Sequence, residues 1–517
     1  MKPESDPDDL SRRSFVLGAS ATMALTAAPA VFSATSPISA AAHLLDLSAV
    51  EAVARMSRGE MTAEHYASAL LDRCQALGSL NAFITLEPAQ VLEAARDCDR
   101  RRHAGETPGP MFGLPIPVKD SVNTRDYPTT AGTPALRRFR PAQDAPVVST
   151  LRAAGAIVLG KTNLHELSYG WTSDNHAFGA VHNPYDPTRI PGGSSGGTAV
   201  AIAAQMAPLG VAEDTQGSIR VPAALCGISG FRPTTGRYST KGCVPISSLF
   251  DQVGPHARTV GDLVLFDSVM VNEGHSLAPT SLQGVRIGVV RDYWFAGLDA
   301  EVERVTTLAI QRLKAAGALI IDTTMPGLQS LIDLTTDAVQ NHDVSLALTH
   351  YLKEYGAGVS FADLLAQASA DIQATFRSYV VPGAPNAVPE SVYAAARDVH
   401  LPALRRLYRD YFARTGVAAI LFPATMVAAP LIGEDVTVNI QGRKVRFDVA
   451  IARNISPGST AGIPGLVLPA GVDAAGLPIG IEFDAPAGSD RALLSLGLSL
   501  QEVLGPVPPP TIRQIHK

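Results

Sequence analysis

Pro191-Gly192-Gly193-Ser194-Ser195-Gly196-Gly197-Thr198-Ala199, followed by Glu213-Asp214-Thr215-Gln216-Gly217-Ser218-Ile219-Arg220-Val221-Pro222-Ala223, decides the fold of this chain. The first run closes a turn-rich stretch, Asn183–Gly197, that feeds a small-residue helix over Thr198–Met206. Glycine pairs on both sides of the serines suit a backbone under constraint. A lysine, Lys119, ends the short apolar strand Gly113-Leu114-Pro115-Ile116-Pro117-Val118 and lies 75 residues before Ser194. Ser218 follows Ser194 by 24 residues. Taken singly, Ser194 and Ser218 read as turn serines and Lys119 as a strand-end lysine in solvent. Together, at these spacings, the three overturn that default.

Working outward, residues 47–104 read as mostly helical, with Thr62-Ala63-Glu64 opening one amphipathic run and Pro88 another. Pro146 starts a helix, Gly155 stops it, and Ala156–Leu159 is a buried strand. Further strands are expected at Val285–Val290, Ala318–Ile321, Ala418–Phe422, Leu466–Pro469 and Ile479–Phe483. Strands alternating with helices predict an α/β fold with helices on both faces of one sheet. The stretch from about 325 to 415 is rich in helix formers and reads as a helical elaboration over that sheet. No internal repeat is present.

The chain has 517 residues, Lys+Arg 42 against Asp+Glu 48, and a net charge of −6, which disfavours a nucleic-acid or anionic-membrane role. Hydrophobic residues at 46% and charged residues at 17% supply a large core and exclude global disorder. Residues 1–42 read as an export leader. Ser11-Arg12-Arg13-Ser14-Phe15-Val16-Leu17 resembles a twin-arginine signal, and the apolar run Val16–Leu25 is too short to span a bilayer. Ala28-Pro29-Ala30 and Ser39–Ala42 offer cleavage sites. The expectation is a periplasmic protein without a stable membrane span. Cys74, Cys98, Cys226 and Cys243 allow three pairings if exported, with buried free thiols the default. The cysteine spacings give no CxxC, and His165, His176 and His182 do not form HExxH, so neither metal nor cofactor is expected.

Two motif matches are misleading. Gly155-Ala156-Ile157-Val158-Leu159-Gly160-Lys161-Thr162 satisfies the phosphate-loop pattern. Its middle residues must themselves be a strand, however, so their N–H groups belong to a sheet ladder and not to a phosphate. Gly192-Gly193-Ser194-Ser195-Gly196 contains the nucleophile-elbow pattern of α/β-hydrolases. None of His256, His275, His342, His350 and His400 sits in a recognisable loop with an acidic partner.

The chain resembles the amidase signature family, in the two serine motifs and in Pro117-Val118-Lys119-Asp120, Gly160-Lys161-Thr162-Asn163, Ala177-Phe178-Gly179, Cys226–Pro233 and Gly462–Leu466. The resemblance implies a large mixed central β-sheet covered by helices, and one amidase domain over 43–517 with a variable helical substrate region about 325–450. It implies a Ser-Ser-Lys triad in which Ser218 is the nucleophile, Ser194, held on a cis peptide, relays its proton, and Lys119 is the base. A lysine must be neutral to act so, and burial favours that form. Ser195 is expected to help bind the amine. By the same carry-over, backbone N–H groups of Thr215, Gln216, Gly217 and Ser218 form the oxyanion hole. Asp214 and Arg220 are expected to brace the loop through an ion pair, with a surface pair the alternative. Gln216 departs from the family's usual Gly-Gly-Ser, so its side chain bears on substrate choice.

Glu213–Ser218, Phe231–Tyr238, Phe250–Pro255 and Ser456–Ser459 resemble the indoleacetamide and mandelamide hydrolase branch, which takes small aromatic primary amides. Ser168, Tyr169 and Trp171 are expected to line the acyl pocket, with a core role the alternative for Tyr169 and Trp171. The expected partner is a small-molecule amide, and a homodimer stays open. Rival readings are an arylamidase, a peptide amidase, an ester or carbamate hydrolase with the same triad, and an ammonia-supplying amidotransferase subunit.

Overall fold

The computed structural model describes residues 44–274 and 276–512, so the leader expected at 1–42 lies outside the described residues. Thirteen strands form among them: β1 (Phe83–Leu86), β2 (Pro115–Lys119), β3 (Ile157–Thr162), β4 (Leu209–Asp214), β5 (Ser229–Arg232), β6 (Gln252–Ala257), β7 (Arg286–Val289), β8 (Leu319–Asp322), β9 (Ala419–Pro423), β10 (Thr437–Ile440), β11 (Arg443–Arg446), β12 (Gly465–Val472) and β13 (Pro478–Asp484). Eleven make one mixed sheet in the order β1-β3-β2-β4-β6-β5-β12-β13-β9-β7-β8; β10 and β11 pair as a separate antiparallel ribbon. Parallel pairing joins β3, β2 and β4 at one end and β9, β7 and β8 at the other. Antiparallel strands fill the centre.

Helices cover both faces, and adjacent residues of β12 show how. Successive strand side chains point to opposite faces. Leu466 packs where Gly497 of the helix Asp490–Leu504 leaves room, whereas Val467 lies beside Gly480, whose missing side chain admits Ala224 of the helix Arg220–Cys226. The central strands β2, β3, β4 and β6 are buried along their whole length. Smaller clusters flank this core, one joining Leu136, Phe139, Leu167 and Ile246 to Leu364 and Phe376 of the helical elaboration.

The strands expected around 115, 157, 286, 319, 419, 466 and 479 are present within one to three residues at each end. The interval from 328 to 415 is helical as read, but 325–450 also contains β9 and the β10–β11 ribbon, a correction to the all-helical expectation. β1 interrupts the stretch read as helical, and β4, β5 and β6 were not legible as strands. Their sequences, Leu-Gly-Val-Ala-Glu-Asp, Ser-Gly-Phe-Arg and Gln-Val-Gly-Pro-His-Ala, carry glycine, charge or proline that strand propensity disfavours. Pairing and burial on both sides impose the extended state on them.

The phosphate-loop match resolves as argued. Gly160, Lys161 and Thr162 lie in β3, with Lys161 Nζ 2.9 Å from Asp120 and Thr162 Oγ1 2.6 Å from Thr198 Oγ1. All four cysteines are buried and unpaired. No helix among the described residues is long and apolar enough to cross a membrane.

Candidate active site

Lys119 closes β2 with no exposed surface. Its Nζ donates to Ser194 Oγ at 2.7 Å and to Glu213 Oε1, on the neighbouring strand β4, at 2.6 Å. Burial drives the lysine pKa down, while the Glu213 carboxylate pulls it back up, and the net direction is downward. Ser194 sits in the loop before the helix Gly196–Ala203, on a cis Gly193–Ser194 peptide. Gly193 is required there: a Cβ would come within 2.8 Å of the Trp171 carbonyl carbon. The Ser194 carbonyl accepts from His165 N and Ser173 Oγ, tying this loop to residues 165–173.

Ser195 departs from expectation. Its hydroxyl donates to the Glu213 carbonyl at 3.1 Å and its N–H to the Ser218 carbonyl at 3.3 Å, so it holds two loops together and does not bind the amine. The place expected for Ser195 beside Nζ is taken by Glu213. In the sequence the one signal for Glu213 is an acidic residue beside Asp214 within the motif.

The loop Thr215–Ser218 links β4 to the helix Arg220–Cys226. Asp214 organises it by accepting from Gly217 N at 2.8 Å and Ile219 N at 3.0 Å. The Gly217 N–H is thereby committed, a correction to its place among the oxyanion donors. The N–H groups of Thr215, Gln216 and Ser218 have no acceptor among the described residues. Gly217 adopts φ +108°, which favours glycine. Asp214 pairs with Arg220 at 3.1 Å and Arg232 at 3.3 Å, and Arg220 reaches Glu482 at 2.5 Å, all with no side-chain exposure. Burial alone would raise the Asp214 pKa, but the two guanidiniums outweigh it and hold the carboxyl well below its ordinary range. The brace is therefore buried, larger than a single pair, and anchored to β13.

Ser218 is 5% exposed and opens onto a cavity of about 320 Å³. Ser168, Tyr169 and Trp171 line it, with Thr215 and Gln216. Tyr169 donates to Asn341 Oδ1 at 2.6 Å and meets Phe376 edge-on at 4.9 Å, so it serves both pocket wall and core. Trp171 Nε1 donates to the Gln216 carbonyl at 2.9 Å, fixing the loop beside Ser218. Gln216 Nε2 donates to Thr460 Oγ1 at 3.2 Å, while its Oε1 is buried without a partner. Not read from the sequence were Ile246, Ile372 and Phe447 as apolar walls, and Asp174, Asp371, Asp435 and Asp448 as acidic lining. These come from five separate chain segments, so no local pattern marks them.

A buried lysine on a serine, beside a second serine that lines a partly aromatic cavity, is an arrangement chemically able to carry out nucleophilic acyl transfer. The comparisons place it further. The family model for amidases matches residues 66–494, and the chain belongs to the amidase family. It is 35% identical to the indoleacetamide hydrolase of Agrobacterium vitis, over 88% of this chain and 97% of that protein. It is 36% identical to the mandelamide hydrolase of Pseudomonas putida, over 91% and 94%. An amidase crystal structure superposes with a TM-score of 0.77 at 30% identity, covering 89% of this chain and all of that one. The protein is an amide-hydrolysing enzyme.

Proposed function

We propose that the enzyme hydrolyses small aromatic primary amides to a carboxylic acid and ammonia through an acyl-enzyme on Ser218. The observation that carries the reading is the buried contact of Lys119 Nζ with Ser194 Oγ at 2.7 Å, one loop away from Ser218, which lines the cavity. Ser218 Oγ attacks the amide carbon; its proton goes to Ser194 Oγ as the Ser194 proton goes to neutral Lys119. The oxyanion is met by the free N–H groups of Thr215, Gln216 and Ser218. Collapse returns the proton through Ser194 to the leaving nitrogen, ammonia departs, and water repeats the sequence on the ester.

Tyr169, Trp171 and Phe447 favour an aromatic acyl group, and a cavity of about 320 Å³ suits a small one. The likeness to indoleacetamide and mandelamide hydrolases supports the same class. The test is ammonia release from phenylacetamide, an anilide, a C-terminal peptide amide and a phenyl carbamate, with Ser218→Ala as the inactive control. Phenylacetamide is expected to be the best substrate. Preference for the anilide or carbamate over every primary amide would replace this reading with an arylamidase or carbamate hydrolase. The twin-arginine pattern supports a periplasmic site of action.

A further inference from the structure

Glu213 is the one strong partner of Lys119 that the hydrolytic scheme above does not use. Its side chain is 6% exposed, and it stays outside the lining of the cavity. Oε1 accepts from Lys119 Nζ at 2.6 Å and from Ser121 Oγ at 3.4 Å. Lys119 thus spends one N–H on Glu213 and faces Ser194 with the same nitrogen. Proton transfer from Ser194 creates an ammonium in a site with no exposed surface, where an unpaired charge is costly.

We propose that Glu213 is a positioning residue for the hydrolysis: its carboxylate fixes Lys119 Nζ on Ser194 and supplies the counter-charge when Lys119 takes the proton. This rests on Lys119 being the base. In the neutral state the amine donates to Glu213 and keeps its lone pair for the Ser194 O–H. As the Ser218 oxygen bonds to the amide carbon, the Ser218 proton passes to Ser194 and the Ser194 proton to Lys119, leaving an ammonium beside a carboxylate. Release of the leaving amine reverses the transfer, so protons and charge balance over the cycle. The arrangement matches in logic the acid that orients and supports a histidine base.

The neighbours of the pair leave this role to Glu213. Asp214, next on β4, is committed to Arg220 and Arg232. Lys161 is paired with Asp120, Cys243 is a buried thiol pushed up by burial, and burial holds His165 and His256 near 4, so both are neutral. Asp251, which faces Glu213 from the loop before β6, is driven up to about 7 by burial and by the Glu213 charge. Among the described residues no other carboxylate is hydrogen-bonded to the amine.

The test is the pH profile of kcat and KM for wild type, Glu213→Gln, Glu213→Asp and Ser121→Ala. Activity needs neutral Lys119, so it falls on the acid side as the lysine protonates. Removing the adjacent negative charge in Glu213→Gln is expected to move that limb down by about 1–3 pH units. Its plateau kcat should fall roughly 10–100-fold, the range for losing an orienting outer partner, with KM little changed. Glu213→Asp keeps the charge and the limb. Ser121→Ala removes a donor from Oε1 and moves the limb the opposite way, to higher pH, which tests the proposal even if Glu213→Gln does not fold. A limb that stays in place in both Glu213→Gln and Ser121→Ala overturns it. Lys119→Met separates the two ideas. Retained activity removes the base itself, whereas a dead Lys119→Met with unmoved limbs elsewhere removes only the role of Glu213.

Discussion

Glu213 and Asp214 are neighbours on β4, and each enters a buried ionic cluster, yet the two clusters are built for opposite ends. Glu213 meets a single lysine whose amine has, among the described residues, one other hydrogen-bond partner, Ser194. Asp214 meets two arginines, two backbone N–H groups and, through Arg220, Glu482 on β13. Lysine is the cation whose pKa burial can bring down, and arginine is the one that stays charged. One strand thus carries both a contact to the buried lysine and a brace for the following loop. Alternation sends one residue toward the lysine proposed to take up a proton, and the next toward arginines that stay charged.

Breaking the bracing face should produce the largest effect on stability. Arg220→Met leaves Asp214 and Glu482 buried without their shared cation, and removing one partner of a buried pair costs about 3–5 kcal/mol. Urea and thermal unfolding would measure it. A loss below about 1 kcal/mol would show that the cluster does not brace the loop. Any surviving fraction of folded enzyme should keep the acid limb of its pH profile, because Arg220 does not touch Lys119.

A second contrast lies in how the carboxylates titrate. Asp214 is held low by its arginines, so its contribution to stability is present above the ordinary aspartate pKa near 3.9 and is lost as pH falls toward the depressed value. Asp251 runs the other way, raised to about 7 by burial and by Glu213. Between about 4 and 7 the folded state therefore binds more protons at Asp251 than the unfolded chain, and stability falls as pH rises through that window. Asp251→Asn is expected to flatten this slope in unfolding free energies measured from pH 4 to 8. An unchanged slope would mean that neither burial nor the Glu213 charge holds the Asp251 pKa up.

This contrast also explains what the sequence could reveal. The serines, the lysine and the loop glycines were legible because they stand in short contiguous motifs that resemble those of the amidase family. The Asp214–Arg220 pair was legible because its members are six residues apart. Arg232 and Glu482 join that cluster only through strand order, with β5 and β13 brought near β4 by pairings distant in sequence. The acidic and aromatic cavity lining is equally non-local. β4, β5 and β6 hid for a related reason: their glycines, charges and Pro255 make sense only inside a sheet buried on both faces.

The smallest expected effect draws the boundary between the two clusters most sharply. Ser195 adjoins Ser194, and the sequence reading puts both hydroxyls on the lysine, but in the structure Ser195 Oγ donates to the Glu213 carbonyl, which is backbone and lies outside the proposed proton path. Ser195→Ala removes one buried hydrogen bond and leaves a carbonyl that β4 pairing or water can satisfy. The cost should be about 1 kcal/mol in stability. Its turnover should stay within roughly tenfold of wild type, with the acid limb unmoved, since 1.36 kcal/mol of barrier corresponds to one factor of ten. A fall of the 10²–10⁴-fold size expected for losing a proton-transfer group would place Ser195 on the amine during turnover. The separation between the residues that carry the proton and those that carry the fold would then have to be redrawn one residue further along the loop.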